Sequence, residues 1–313
     1  MNRSDYRRGS STRMSSRVER CAAALARCRA AGLRVYEATT RGVNPRNIRE
    51  AYAVQRHVHS SRSTKERLGN VVGYKVGCTT PVMQDYLSIP HPCAGGMFDK
   101  FVWKAPVSSS STHCHHIDRG AWHRVGLECE IAVILKNRLG GDGQQTTRED
   151  AAAAVGSVHA AVELVDDRYE DFQARKPGPL CWIADDFFHA GLVLGPPILM
   201  LDGSPIDPMS LNRLYGRLSI DGQTLGEGSG TDIVSGHPLE ALRWLANSDV
   251  AADRGLPPGW IVSLGSVCRT HWLARDEYNV YVSYTLDEEN AGVGQGGPKL
   301  DALTSQVSMS FAK

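Results

Sequence analysis

The chain has 313 residues, and 35 Lys and Arg stand against 34 Asp and Glu, a formal net charge of +1. Apolar residues make up 42%, charged residues 22% and aromatic residues 7%, the usage of a globular protein long enough to bury a large core. The charge balance argues against nucleic acid or anionic membrane as a partner, since either calls for a basic excess, and no apolar run reaches the roughly 20 residues of a bilayer span.

The opening MNRSDYRRGSSTRMSSR is polar and lacks an apolar signal region, so residues 1–17 read as a disordered tail, with Met14 as a second possible start. The Ala-rich stretch from Val18 to Ala31 predicts a helix stopped by Gly32. A second helix is predicted with Asn44 as its N-cap and Pro45 in the first turn, and Ile48, Ala51, Tyr52, Gln55 and Val58 follow helical spacing. The chain then changes character. Strand-type runs are read at 71–76, 127–135, 158–165, 191–194, 214–220, 260–264, 278–284 and 307–311. Asp221-Gly222 reads as a hairpin turn between two of them. Helices are predicted over Arg148–Val155, capped by Thr147, and from Pro238 to about Arg254, ending at Gly255. The Ser108–Ser111 run with the following HCHHIDRG, and GVGQGGP near Gly292, read as exposed loops.

Strands outnumber helices without regular alternation. This predicts the α+β class rather than a doubly wound parallel sheet. The expected organisation is a helical N-terminal part over 18–70, continuous with a strand-rich catalytic domain over 71–313. The eight cysteines, Cys21, Cys28, Cys78, Cys93, Cys114, Cys129, Cys181 and Cys268, are scattered and form no C-x-x-C pair. Reduced thiols in a cytoplasm are the simplest reading.

Glu128 and Glu130 in GLECEIAVIL carry the sharpest chemical signal. Two positions apart on a strand, their carboxylates share one face, while Leu127, Cys129, Ile131, Val133 and Leu135 occupy the other. A solvent-facing sheet edge would produce the same spacing. Here the glutamate face continues as Ala132 and Ile134, so the strand reads as buried on both sides further along, where like charges raise each other's pKa unless a cation is present. Glu163 lies in a second apolar run, AAVELVDD. Three glutamates from neighbouring strands would suit Mg²⁺ or Mn²⁺, although spacing does not show that the strands meet. Lys75, in VVGYKVGCT, sits on or beside a buried strand, where its ammonium needs a partner unless it snorkels from an edge.

These residues, taken with NIREAYAVQ (47–55), VVGYKVGCT (71–79), GLECEIAVIL (126–135), AVELVDDR (161–168), IADD (183–186), ALRWLAN (241–247), GWIV (259–262) and GS (265–266), resemble the 2-keto-4-pentenoate hydratase branch of the fumarylacetoacetate hydrolase superfamily. The resemblance spans about residues 45 to 311. It implies a mixed β-roll of the fumarylacetoacetate hydrolase C-terminal type, with Mg²⁺ or Mn²⁺ held by Glu128, Glu130 and Glu163 and with Lys75 as the active-site lysine. It also implies a 2-oxo or 2-hydroxy-dienoic acid whose carboxylate and 2-oxygen chelate the metal, so that an enolate is stabilised, and an oligomeric protein.

The departures concern proton transfer. Where hydratases carry an aspartate, this chain has Cys93 in His91-Pro92-Cys93-Ala94-Gly95, and a thiol with a reference pKa near ~8.5 does not simply replace a carboxylate base. Cys93 is a catalytic candidate as a reactive thiol where a cation or helix N-terminus lowers its pKa, a buried inert cysteine being the alternative. Where they carry A-D-N-A-S, this chain has Ala184-Asp185-Asp186-Phe187-Phe188. Asp185 is a candidate for a substrate contact or catalytic group, and Ser266 matches a small residue facing the site in relatives. His113, Cys114, His115 and His116 lack usual zinc spacing and read as a loop; Asp166 and Arg168 read as structural, and His189 matches no family position. The resulting expectation is a metal-dependent hydratase, cytoplasmic and a homo-oligomer. The alternatives are a decarboxylase or C–C hydrolase of an acylpyruvate- or oxalocrotonate-type acid, or a non-catalytic partner of a decarboxylase.

Overall fold

The computed structural model describes residues 16–104, 114–118, 122–200, 203–274, 279–286 and 305–312. Most of the expected N-terminal tail, His113 and the glycine-rich stretch near Gly292 lie outside these residues. Among them no helix is long and apolar enough to cross a membrane.

Helix α1 (Arg17–Ala31) opens with a capping box. The Ser16 hydroxyl accepts from the Glu19 amide, the Glu19 carboxylate accepts from the Ser16 amide, and Gly32 closes the helix at φ 64°. The second helix, α2 (Ile48–Ser60), begins three residues later than the sequence predicts: Asn47, not Asn44, is its cap and accepts from the Glu50 amide. Pro45 disfavours a helical residue before it, and the Asn44 carbonyl is taken by the Arg17 guanidinium. Helix α3 (Arg62–Leu68) completes the N-terminal layer.

The rest follows as β1 (Val71–Gly77), α4 (Pro81–Leu87), β2 (Cys93–Phe98), β3 (Val102–Lys104), β4 (Cys114–Asp118), β5 (Val125–Leu135), α5 (Arg148–Ala154) and β6 (Val155–Asp166). Then come α6 (Pro179–Ala184), β7 (His189–Pro197), β8 (Leu214–Ile220), β9 (Gln223–Ser229), α7 (Pro238–Ala246), β10 (Ile261–Ser266), β11 (His271–Trp272), β12 (Asn279–Leu286) and β13 (Ser305–Ala312). The β8–β9 hairpin turns at Asp221 and Gly222, both at positive φ, as its sequence predicts. Two expectations are corrected. Cys114–Asp118 is a strand paired parallel to β13, not a loop. Helix α7 stops at Ala246, because the Asn247 side chain is drawn into a two-way bond with the Thr146 backbone.

One sheet runs β2-β1-β10-β5-β6-β7-β3, with β11 pairing the far end of β5; the other runs β4-β13-β12-β8-β9. The first sheet curls until β2 approaches β7. Strand alternation then decides what fills the roll. Its inner face carries Met97, Ala132, Ala161, Leu192, Leu194 and Ile261 as a small apolar plug at one end. Further along β5 and β6 that face carries Glu128, Glu130 and Glu163, and Lys75 of β1 reaches Glu163 there. The outer face of β5, from Leu127 to Leu135, packs into a larger core shared with the helices and the second sheet.

Strand β2 was missed because CAGGMF lacks alternation, yet all six of its residues are buried. Its glycines are required by close approach. A Cβ on Gly95 would stand 2.1 Å from the Asp186 carbonyl oxygen. Gly95→Ala is therefore expected to destabilise the fold by about 1–3 kcal/mol, read as a lower urea midpoint with unchanged slope.

Candidate active site

Register brings the predicted residues together. Glu128 of β5 lies directly opposite Glu163 of β6, Glu130 pairs with Ser266 of β10, and Lys75 of β1 pairs with Ser263 of β10. One carboxylate oxygen from each of Glu128, Glu130 and Glu163 lies within 4.8 Å of the others. The Lys75 ammonium is buried and reaches a Glu163 oxygen at 3.0 Å, with the Phe187 ring centre 5.2 Å away.

Each carboxylate is oriented by further groups. Oε1 of Glu163 also meets Nδ1 of buried His189 at 2.9 Å. Because an ionised carboxylate can only accept, the bond assigns the proton to Nδ1. Oε2 of Glu130 accepts from the Ser263 hydroxyl at 2.6 Å and the Gly265 amide at 2.8 Å. Glu128 accepts from the Thr270 hydroxyl.

Burial, then the charges of Glu163 and Glu128, pushes Glu130 well above the usual carboxylate range, and burial with Glu163 raises Glu128. Burial would raise Glu163 too, but Lys75 and His189 outweigh it and hold its carboxyl low. Lys75 is the reverse case. Burial disfavours its charge, and the neighbouring carboxylates more than restore it, so it remains an ammonium. Three carboxylates beside one ammonium leave an excess of negative charge in a place that water reaches poorly. Hard oxygen donors with that excess fit a divalent cation.

A cavity of about 720 Å³ opens from this floor, with Lys75, Glu128, Glu130 and Ser266 in its lining. The Ser266 hydroxyl is engaged by the backbone of Cys129 and Cys268. Cys93 is fully buried on β2 opposite Gly77, outside that lining, while Cys78 lies within it. Burial and the neighbouring Cys78 push the Cys93 thiol well up. Asp185, also fully buried and outside the lining, is ion-paired to Arg29 at 2.8 Å and Arg168 at 3.1 Å. His115 and His116 lie on β4, on the second sheet.

Sequence reasoning missed the roles of His189, Ser263 and Thr270. Ser263 had a readable signal, since it alternates with Ile261 and faces inward. His189 had none, because nothing local in FFHAG distinguishes a histidine that reaches back 26 residues.

No protein-family model matches the chain. A 2-keto-4-pentenoate hydratase from Paraburkholderia phymatum is 31% identical over 221 residues, covering 69% of this chain and 75% of that one. A 4-oxalocrotonate decarboxylase from Pseudomonas putida is 29% identical over 239 residues, 75% and 81% of the two chains. The fold matches the structure of 4-oxalocrotonate decarboxylase from Pseudomonas putida G7, complexed with magnesium and adipate, at a TM-score of 0.72 and 22% identity, over 94% of this chain and 97% of that one. With the inner-face glutamates and lysine in register and a hydratase this similar across most of both sequences, the chain belongs to the 2-keto-4-pentenoate hydratase branch of the fumarylacetoacetate hydrolase superfamily, as a divergent member.

Proposed function

We propose that the protein is a divalent-metal-dependent lyase acting on a small 2-oxo or 2-hydroxy-dienoic acid, with hydration as its leading reaction. The observation that carries this reading is the Glu128–Glu130–Glu163 cluster, of which Glu128 and Glu130 line the cavity, beside a buried lysine. Those carboxylates would hold Mg²⁺ or Mn²⁺, and the bound cation would supply a Lewis acid that stabilises charge developing on a substrate oxygen.

The chain's own groups do the rest. Lys75 keeps its proton, so it serves as a cationic anchor for the substrate carboxylate and a donor to an oxygen gaining charge, not as a base. His189 fixes the Glu163 carboxylate from behind. Phe187 shields the ammonium from water. The buried Cys93 thiol supplies no base, and the remaining carboxylates of the lining, Glu227 and Asp232, are exposed. That arrangement favours a second reading, decarboxylation, which consumes no water; C–C hydrolysis of an acylpyruvate-type acid would, like hydration, need an activated water. The intact carboxylate set speaks against a non-catalytic subunit. The family resemblance supports a homo-oligomer, with a decarboxylase as a possible partner, and the free thiols suit a cytoplasmic site of action.

The test is calorimetric titration of Mg²⁺ and Mn²⁺ into chelator-treated protein, with and without oxalate, followed by product analysis on a dienoate and an acylpyruvate. Binding that oxalate tightens supports the reading, and no binding in either condition sinks it. Lys75→Met is expected to lower kcat/KM by about 10²- to 10³-fold. The same variant should bind Mg²⁺ as well as the parent or better, since a positive charge beside the cation has gone. Weakened metal binding would contradict the role given to Lys75.

A further inference from the structure

Resting on that metal-dependent 2-oxo-acid reading, we infer that the outer cavity is built for an apolar, ring-sized tail on the substrate and not for a second carboxylate. About 720 Å³ is in the range of pockets that enclose drug-sized ligands, and a five-carbon acid seated on the glutamates would leave most of it unfilled.

The wall that leads outward from Lys75 is apolar: Phe187, Phe188 and Phe172, then Met83 and Val82 of α4 at the rim. Phe187 and Phe188 meet edge to face at 5.6 Å, and Phe172 meets Phe188 at 5.3 Å. Tyr169 and Trp182 back the same rings from inside, at 4.8 Å and 5.7 Å from Phe188. Such a stack presents a fixed aromatic surface.

The backbone is bent to place it. Asp186, Phe187 and Phe188 stand at φ 60°, 46° and 67°, a left-handed run that side chains other than glycine seldom adopt. Asp186 holds the run in place, its carboxylate meeting His59 at 2.6 Å, the Gly96 amide at 2.8 Å and Arg29 at 2.9 Å.

Charge at the opposite lip points the same way. Arg269 is the cation of the lining besides Lys75; Glu227 of the same lining is paired with Arg217 at 3.2 Å and exposed Asp232 offsets Arg269, which leaves no positive excess to receive a distal carboxylate. On the aromatic side Val82 is 70% exposed and Met83 38%, apolar surface that a tail would cover.

The experiment compares 2-oxo acids on the Mn²⁺-loaded protein by calorimetry: pyruvate without a tail, 4-phenyl-2-oxobutanoate with an aryl tail, and 2-oxoadipate with a distal carboxylate. Oxalate serves as the control. The aryl acid is expected to bind at least about tenfold more tightly than pyruvate, and 2-oxoadipate no more tightly than pyruvate. Phe188→Ala, and separately Met83→Ser at the exposed rim, should each lower the aryl-to-pyruvate affinity ratio by about threefold or more. Oxalate binding with a flat series, a preference for 2-oxoadipate, or a ratio unmoved in both variants would overturn the inference alone. Failure of oxalate and all three acids to bind would overturn the parent reading and this one with it.

Discussion

Glu163→Ala is expected to abolish Mg²⁺ binding, to lower kcat/KM by at least about 10³-fold, and to cost stability even in the absence of metal. The three effects share one cause. Glu163 is the member of the cluster that answers two nitrogen donors: the Lys75 ammonium at 3.0 Å and His189 Nδ1 at 2.9 Å both end on its Oε1. Glu128 and Glu130 are held by hydroxyls and an amide instead. Truncation leaves an ammonium 2% exposed without its closest counter-ion, and breaking a buried pair from one side costs about 3–5 kcal/mol. It also leaves His189 without the acceptor on Nδ1, where Nε2 has no hydrogen-bond partner among the described residues. Glu163→Gln should separate these losses. An amide carbonyl can still accept from Lys75, so stability recovers in part, while the missing charge keeps the cation out. Thermal melts with and without Mg²⁺ read both, because a ligand bound only by the native state raises Tm. The parent should shift upward with Mg²⁺ and both variants should not. A Mg²⁺-dependent shift in Glu163→Ala would mean that the cation sits elsewhere.

Much of this site was legible because strands encode direction. The alternation Glu128–Glu130–Ala132–Ile134 placed both carboxylates on a face that is later buried, and the structure puts that face inside the roll. The apolar run around Glu163 likewise implied a strand, and the pairing Glu128↔Glu163 is what spacing could not supply, because register between strands is set by the whole sheet. The family resemblance closed that gap, not the local pattern. What stayed hidden is of two kinds. Strand β2 hides behind Gly95 and Gly96, whose reason is the Asp186 carbonyl and the His59 ring on the far side of the fold. The left-handed run at Asp186–Phe188 carries no glycine to announce it, so a sequence reader sees only added bulk in FF. The Arg29–Asp185 pair joins residues 156 apart, and no periodicity in either helix points to the other.

That pair is the basis of the second large effect. Arg29→Ala is expected to destabilise the protein by about 3–5 kcal/mol or to prevent folding. Arg29, on α1, donates from Nε to Asp185 Oδ1 at 2.8 Å and from Nη2 to the Asp185 carbonyl at 2.5 Å, and it pairs with Asp186 Oδ2 at 2.9 Å. Both aspartates have no exposed surface, and among the described residues Arg168, His59 and the Gly96 amide would remain to answer them. The loss reaches the cavity, because Asp186 begins the left-handed run that carries Phe187 past Lys75. Acid should expose the same interaction. Burial by itself would raise the Asp186 carboxyl, but His59 and Arg29 outweigh it and hold the group well below its ordinary range. A carboxyl lowered on folding contributes stability that is fully present above its unfolded pKa, about 3.9, and is lost as pH falls below that toward the folded value. The parent should therefore lose urea resistance steeply between about pH 4 and pH 2.5. Asp186→Asn, less stable at neutral pH, should show a shallower acid slope over that interval. An unchanged slope in Asp186→Asn would assign the acid sensitivity to other carboxylates. An Arg29→Ala chain that melts with the parent would show that α1 is held by its apolar face, Cys21, Leu25 and Cys28, without help from the ion cluster.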